Sequence, residues 1–332
     1  ELDGDFVFVG TQLACAEMIS SGTTTFCDMY LFSDEVAQAA NQSGMRCLVG
    51  EVLYDFPSPN YGPVEAGITY TKQLIDKWRY DSLVSIAVKP HAPYTCSPDL
   101  LEKTHKLAED QDVPLIIHLA ESTTEIEDIV KQYGRRPVDH LASLGLLSPR
   151  LIAAHVVHVN PAEVDLLAET GVRVVHNPES NLKLASGISP VSDLIQKGIS
   201  VGLGTDGCAS NNNLDLFGEM DMAAKLAKIQ RMDPTALDAP TVLKMATIEG
   251  ARALGMADTI GSLEIGKLAD VVVVDTHAPH MTPMYNPYSQ IVYAATGRDV
   301  RHVIINGQIV MEHRQLLTLD INQVLAQAEE KA

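Results

Sequence analysis

His118 closes the apolar run Pro114-Leu115-Ile116-Ile117, and Glu121 follows it three residues later. An imidazole delivered to the end of a β-branched segment, with a carboxylate just beyond it, can place a metal ligand and a general acid/base in one small volume. Asp206 closes a second apolar segment, Ser200-Val201-Gly202-Leu203-Gly204-Thr205, much later in the chain. Two further imidazoles occupy similar places: His155 ends Leu151-Ile152-Ala153-Ala154, and His91 lies in the turn Pro90-His91-Ala92-Pro93-Tyr94 after Leu83 to Val88. A loop Glu is usually a solvated surface residue, and a lone His is often a core residue. Four polar groups at the ends of apolar segments weigh against that reading, because buried charge and imidazole need partners.

The elements that carry them alternate regularly. Strand-like runs fall at 23–28, 45–53, 83–88, 114–119, 151–157, 171–176 and 200–205, with helical patterns at 11–20, 34–42, 65–78, 98–110, 123–132, 136–144, 161–169 and 190–196. Strands alternating with helices at this spacing predict βαβ units and a parallel sheet. Seven strands fall one short of a closed (β/α)₈ TIM-type barrel, in which side chains at the C-terminal strand ends share one mouth. The expected fold is therefore α/β, a (β/α)₈ barrel lacking strand 1, over residues 1–258. After a helix at 241–255 the texture changes. Residues 259–332 read as a small β-rich appendage with a strand at 270–275, a hairpin turned by Asn306-Gly307 and a polar helix at 320–331.

Other candidates carry less. His158 follows His155 at a spacing that puts the two on opposite faces of a strand. His176 is expected to line the mouth without touching a metal. His105, His140, His277 and His280 are expected at the surface, and Lys89 is expected to flank its strand, which favours a mononuclear site. The loop Asp206-Gly207-Cys208-Ala209-Ser210-Asn211-Asn212-Asn213 suits either closure over a polar substrate or helix capping. No Walker loop and no Gly-x-Ser-x-Gly elbow occurs and no dinucleotide fingerprint is expected, which argues against phosphoryl transfer, dinucleotide chemistry and serine hydrolysis.

Composition narrows the class further. With 24 Lys+Arg against 43 Asp+Glu the net charge is −19, which opposes nonspecific binding to nucleic acid or to an anionic membrane. Five scattered cysteines with no Cys-x-x-Cys pair fit a reduced, cytoplasmic compartment. The chain starts at Glu1 without Met, so it is expected to begin inside a longer protein.

The segments Pro90-His91-Ala92-Pro93-Tyr94-Thr95, His118-Leu119-Ala120-Glu121, Ala153-Ala154-His155, His176 to Ala185 and Gly204-Thr205-Asp206-Gly207 resemble the amidohydrolase superfamily. Within it they are similar to the 5-methylthioadenosine/S-adenosylhomocysteine deaminases, and Ser210 to Met220 strengthens that likeness. The resemblance covers nearly the whole chain. It implies a barrel with a composite β-sandwich, one divalent metal ion, usually zinc, and hydrolytic deamination of an adenosine-type nucleoside. Carried over, His118 and Asp206 would ligate the metal, and Asp206 would also serve as base for the water. Glu121 would shuttle protons to the ring nitrogen, His91 would hydrogen-bond the substrate, and His155 would hold the hydroxide and the developing tetrahedral centre.

The family's first strand carries a His-x-His pair, and no His-x-His occurs in this sequence. The acidic residue that the family uses for the ribose has no counterpart either. His118 and Asp206 alone fall short of the three protein ligands of a catalytic zinc site. The expected chain is thus a deaminase barrel without its first βα unit. Another purine or an s-triazine is the alternative substrate, a non-catalytic truncated scaffold is the alternative of another class, and a homo-oligomer is left open.

Overall fold

The computed structural model describes residues 2–331. Eight stretches of backbone make one parallel arc: β1 (Thr25–Tyr30), β2 (Arg46–Leu53), β3 (Val84–Ile86), β4 (Lys89–Pro90), β5 (Leu115–Leu119), β6 (Leu151–His155), β7 (Arg173–His176) and β8 (Val201–Leu203). β3 and β4 are one interrupted strand, since both pair with β2 in parallel. Gly50 explains the close approach there: a Cβ on it would lie 2.2 Å from the Ala87 carbonyl oxygen. The Val88–Leu115 bridge and the bond from His118 N–H to the His91 carbonyl join this half of the arc to β5-β6-β7-β8. Seven barrel strands result. Among the described residues nothing pairs with the outer edges of β1 and β8, and the arc holds seven of the eight strands of a closed barrel.

The helices are α1 (Gly4–Ser20), α2 (Ser33–Gln42), α3 (Val64–Trp78), α4 (Pro98–Gln111), α5 (Thr123–Tyr133), α6 (Pro137–Ser143), α7 (Pro161–Glu169), α8 (Pro178–Lys183), α9 (Val191–Gln196), α10 (Leu216–Arg231), α11 (Ala239–Met245), α12 (Ile248–Ala253), α13 (Pro287–Tyr293) and α14 (Ile321–Lys331). Their starts follow their sequences. Ser97, Ser122, Asn160, Asp215 and Asp238 each accept a backbone N–H in the first turn, as N-cap residues do. The helix at 11–20 extends back to Gly4, capped by Asp3. The short helices α8 and α13 fall where no periodic pattern is visible, each opened by a proline in its first turn.

Beyond the barrel, β9 (Val271–Val274), β10 (Val300–Ile305), β11 (Gln308–Glu312) and β12 (Gln315–Leu316) form an antiparallel sheet in the order β12-β11-β10-β9. The β10–β11 turn is the expected Asn306-Gly307, both at positive φ (51° and 79°). One hydrophobic cluster runs through barrel and appendage, from Val49, Leu115 and Val174 to Val303 and Met311. A buried ion pair of Arg46 with Asp270 ties the start of β2 to the appendage. Arg314 reaches the end of α1, its Nη1 donating to the Ser20 carbonyl at 3.4 Å and, within the appendage, to the carbonyls of Gly297, Arg298 and Val300 at 2.8–3.0 Å. No helix among the described residues is long and apolar enough to cross a membrane.

Candidate active site

The strand ends bring the sequence candidates together. His91 follows β4, His118 lies in β5, His155 ends β6 and Asp206 lies three residues past β8. The His91 and His118 rings are 5.0 Å apart between centroids, and His118 stacks on His155 at 5.4 Å. Glu121 Oε2 lies 3.9 Å from His155 Nε2. The backbone turns sharply at these places. Ala120, His155, Val156 and Asp206 all have positive φ, at 53°, 72°, 48° and 59°. Non-glycine residues in that region carry strain, which is held where surrounding bonds fix it.

Hydrogen bonds set the imidazoles. His118 Nδ1 is 2.8 Å from the His91 carbonyl oxygen, which only accepts, so Nδ1 carries the proton and Nε2 keeps its lone pair. Burial and the neighbouring His155 hold the His118 pKa below the ordinary value, partly offset by Asp206 and Glu121. His155 Nδ1 meets Asn181 Oδ1 at 2.9 Å, and the residue is 1% exposed. His91 Nδ1 is 2.8 Å from Thr95 Oγ1, and burial lowers its pKa to about 4. Tyr94 meets the His91 ring edge-on at 5.8 Å; burial and then the charge of Glu121 raise its phenol above the usual value.

The carboxylates are held equally. Ser180 Oγ donates to Asp206 Oδ2 at 2.6 Å and the Gly207 N–H donates to Oδ1 at 2.7 Å. Ser186 Oγ donates to Glu121 Oε1 at 3.2 Å. Ser180 and Asn181, one residue apart on α8, thus serve Asp206 and His155 respectively. The first turn of α8 is fastened in turn by buried Glu219, which accepts the Glu179 N–H at 3.1 Å and the Asn211 amide at 2.6 Å. Burial pushes the Glu219 carboxyl up to about 8.

Several expectations change. Lys89 does not flank its strand: it lies in β4, fully buried, and its ammonium donates to the carbonyls of Asp28 and Leu48. His140 is buried rather than exposed, because its ring stacks on Tyr133 at 4.1 Å. β6 ends at His155, so His158 is a loop residue whose Nε2 donates to the Ser186 carbonyl at 2.6 Å. His176 is 2% exposed, with Nδ1 unpartnered and its pKa driven down to about 3 by burial and by His155. The run Gly202-Leu203-Gly204-Thr205-Asp206-Gly207 has Gly-x-Gly-x-x-Gly spacing. Its first glycine sits inside β8 and no helix begins before Leu216, so it lacks the strand-turn-helix setting of a dinucleotide fingerprint. Thr95, Ser180, Asn181, Ser186 and Glu219 were missed as site residues. Small polar side chains in loops give no periodic signal, and only their contacts mark them.

The donor chemistry at His118 suits a metal: neutral, with Nε2 free and Nδ1 fixed by a carbonyl, the usual arrangement behind a metal-bound imidazole. Asp206 adds a carboxylate. Among the described residues, however, no group of three or more His, Cys, Asp or Glu is placed to hold an ion. The pair supplies part of a ligand shell and not a whole one.

A seven-stranded parallel arc with imidazoles and a carboxylate at its strand ends is the architecture of metal-dependent hydrolase barrels. The chain belongs to the amidohydrolase family, whose sequence profile matches residues 1–310. A 5-methylthioadenosine/S-adenosylhomocysteine deaminase of Syntrophobacter fumaroxidans is 60% identical over 325 residues, covering 98% of this chain and 74% of its own length. The 5'-deoxyadenosine deaminase of Methanothermobacter thermautotrophicus is 44% identical, covering 100% of this chain and 77% of its own. The crystal structure of an adenosine deaminase from Xanthomonas campestris, with bound zinc, superposes with a TM-score of 0.98 at 45% identity, covering 100% of this chain and 75% of that one.

Proposed function

We propose that the barrel mouth catalyses hydrolytic deamination of an adenosine-type nucleoside, 5-methylthioadenosine or S-adenosylhomocysteine, giving the inosine-type product and ammonia. The observation that carries this is the convergence of Glu121, His155 and Asp206 on the partly buried face of His118. The relatives' names supply the substrate class. His118 and Asp206 would supply part of the ligand shell of one divalent ion, zinc, and such an ion would lower the pKa of water toward neutrality.

Water adds to the ring carbon that bears the amino group, and the C–N bond to that group breaks. Asp206, held by Ser180 and the Gly207 N–H, takes the proton from the attacking water. Glu121 delivers a proton to the adjacent ring nitrogen, which makes that carbon electrophilic; Asp206 passes the water's proton to the amino group, ammonia leaves as the C–N bond breaks, and the adduct's hydroxyl proton restores Glu121. His155, its ring fixed by Nδ1–H donating to Asn181 Oδ1, would stabilise the oxygen that develops negative charge by an Nε2–H, that is, in its imidazolium form. His91 hydrogen-bonds the purine through Nε2, because Thr95 occupies Nδ1. The acidic surface suits a soluble, cytoplasmic enzyme of small nucleosides rather than a binder of nucleic acid.

The test is ammonia release from a panel of 5-methylthioadenosine, S-adenosylhomocysteine, guanine and an s-triazine, using the zinc-supplemented chain alone and extended N-terminally by the family's His-x-His strand. Deamination of the adenosine-type members supports the reading. An extended, zinc-loaded protein that releases no ammonia from them refutes it.

A further inference from the structure

Glu125 takes no part in the chemistry above, yet it is 2% exposed and faces the reacting carboxylate's own backbone. Its Oε1 accepts the Ala120 N–H and its Oε2 the Glu121 N–H, both at 2.8 Å. The turn it grips is the strained one. Ala120 has φ 53°, and its carbonyl is held from the other side by the N–H groups of Val157 at 3.0 Å and His158 at 2.8 Å. The two-residue bend between β5 and α5 is therefore bonded on both faces, once to its own helix and once to the loop behind His155.

The sequence builds this grip locally. Ser122 caps α5 by accepting the Glu125 N–H at 3.1 Å, which places a Glu at the third helical position of an S-x-x-E box. In the usual box that Glu reaches back to the cap residue's own N–H. Here the left-handed turn at Ala120 brings the two preceding N–H groups into reach, and the carboxylate spans both. Burial raises the Glu125 carboxyl to about 7 while its two backbone donors pull it down; in the ionised form these are charge-assisted bonds in a poorly solvated place, stiff as well as strong.

We propose that Glu125 is a positioning residue for Glu121, holding the Ala120–Glu121 peptide in the left-handed turn that aims the Glu121 side chain at His155 and the substrate. This rests on the reading of Glu121 as the proton carrier. A displaced acid/base group loses rate without losing ground-state contacts, so kcat is the parameter it moves.

The variants are Glu125→Gln, which keeps the shape and can accept only one of the two N–H bonds, and Glu125→Asp, whose shorter arm keeps the charge. Two readouts separate this proposal from the deaminase reading. The first is amide hydrogen exchange at Ala120 and Glu121 in the unextended chain, which needs no turnover. Protection there is expected to fall at least about tenfold in Glu125→Gln, with the β6 and β7 amides unchanged. The second is steady-state deamination of 5-methylthioadenosine by the extended protein. There kcat is expected to fall at least about tenfold while KM moves less than about threefold, with partial recovery in Glu125→Asp. Unchanged exchange in Glu125→Gln overturns the proposal whether or not the protein deaminates nucleosides. Changed exchange with an unaltered kcat also overturns it, because the turn would then not matter to Glu121. A protein that shows the exchange result and no turnover refutes the deaminase reading and limits Glu125 to holding the turn.

Discussion

Each reacting side chain in this site is held by a neighbour with no periodic signature of its own. Thr95 fixes His91, Asn181 fixes His155, Ser180 fixes Asp206 and Ser186 touches Glu121. Glu121 carries the heaviest chemical demand, since the proton it delivers to the ring nitrogen makes the attacked carbon electrophilic. Glu121→Gln keeps the size of the side chain and removes the transferable proton. Its kcat for 5-methylthioadenosine should fall by roughly a hundredfold or more with KM nearly unchanged, as expected for loss of a general acid/base; an undiminished kcat would remove Glu121 from the mechanism. His176 makes a separate prediction about stability. Its pKa is about 3 when folded, below the ordinary 6.5, so the unfolded chain binds the proton first as pH falls. The associated stability is complete above pH 6.5 and is lost as pH falls from there toward 3. Melting temperatures measured across that window should drop more steeply for the native chain than for His176→Gln, and parallel curves would contradict the assignment.

The strands and helices that place these residues were legible because their signals are periodic and local. β5 ends at Leu119 as its apolar run does, β6 and β8 end two residues inside their expected bounds at His155 and Leu203, and the barrel's helices recur between them. The Asn306-Gly307 turn was readable for the same reason. What the pattern could not show was contact across the chain. Lys89 looked like a flanking cation because nothing in Val88-Lys89-Pro90 announces that Asp28 and Leu48 present carbonyls to it. His140 looked exposed because Tyr133 is seven residues away on another helix. α8 escaped notice because a six-residue helix shows less than two turns of period. Arg46 and Asp270 belong to this class too, 5% and 7% exposed at the side chain and 224 residues apart. Arg46→Ala leaves Asp270 buried without its cation and should cost about 3–5 kcal/mol in denaturant unfolding. A loss under about 1 kcal/mol would mean that the pair behaves as a surface ion pair and does not join barrel to appendage.

Across the whole molecule, the arc of seven strands and the half-furnished ligand shell belong to the same geometry. Among the described residues the outer edges of β1 and β8 pair with no further strand, and the sequence holds no His-x-His pair. On the proposed function, His118 and Asp206 would form one side of an ion-binding site and Glu121 and His155 the groups beside it. The net charge of −19 and the continuous core through barrel and appendage suit an enzyme of small nucleosides rather than a binder of nucleic acid. The claim underneath is that water replaces the ring amino group at this mouth. Mass spectrometry of 5-methylthioadenosine turned over in heavy-oxygen water by the zinc-loaded, strand-extended protein tests it directly. The account predicts one heavy oxygen at the former amino-bearing carbon and one equivalent of ammonia per product. Unchanged substrate, or a product that keeps its amino nitrogen, would contradict it.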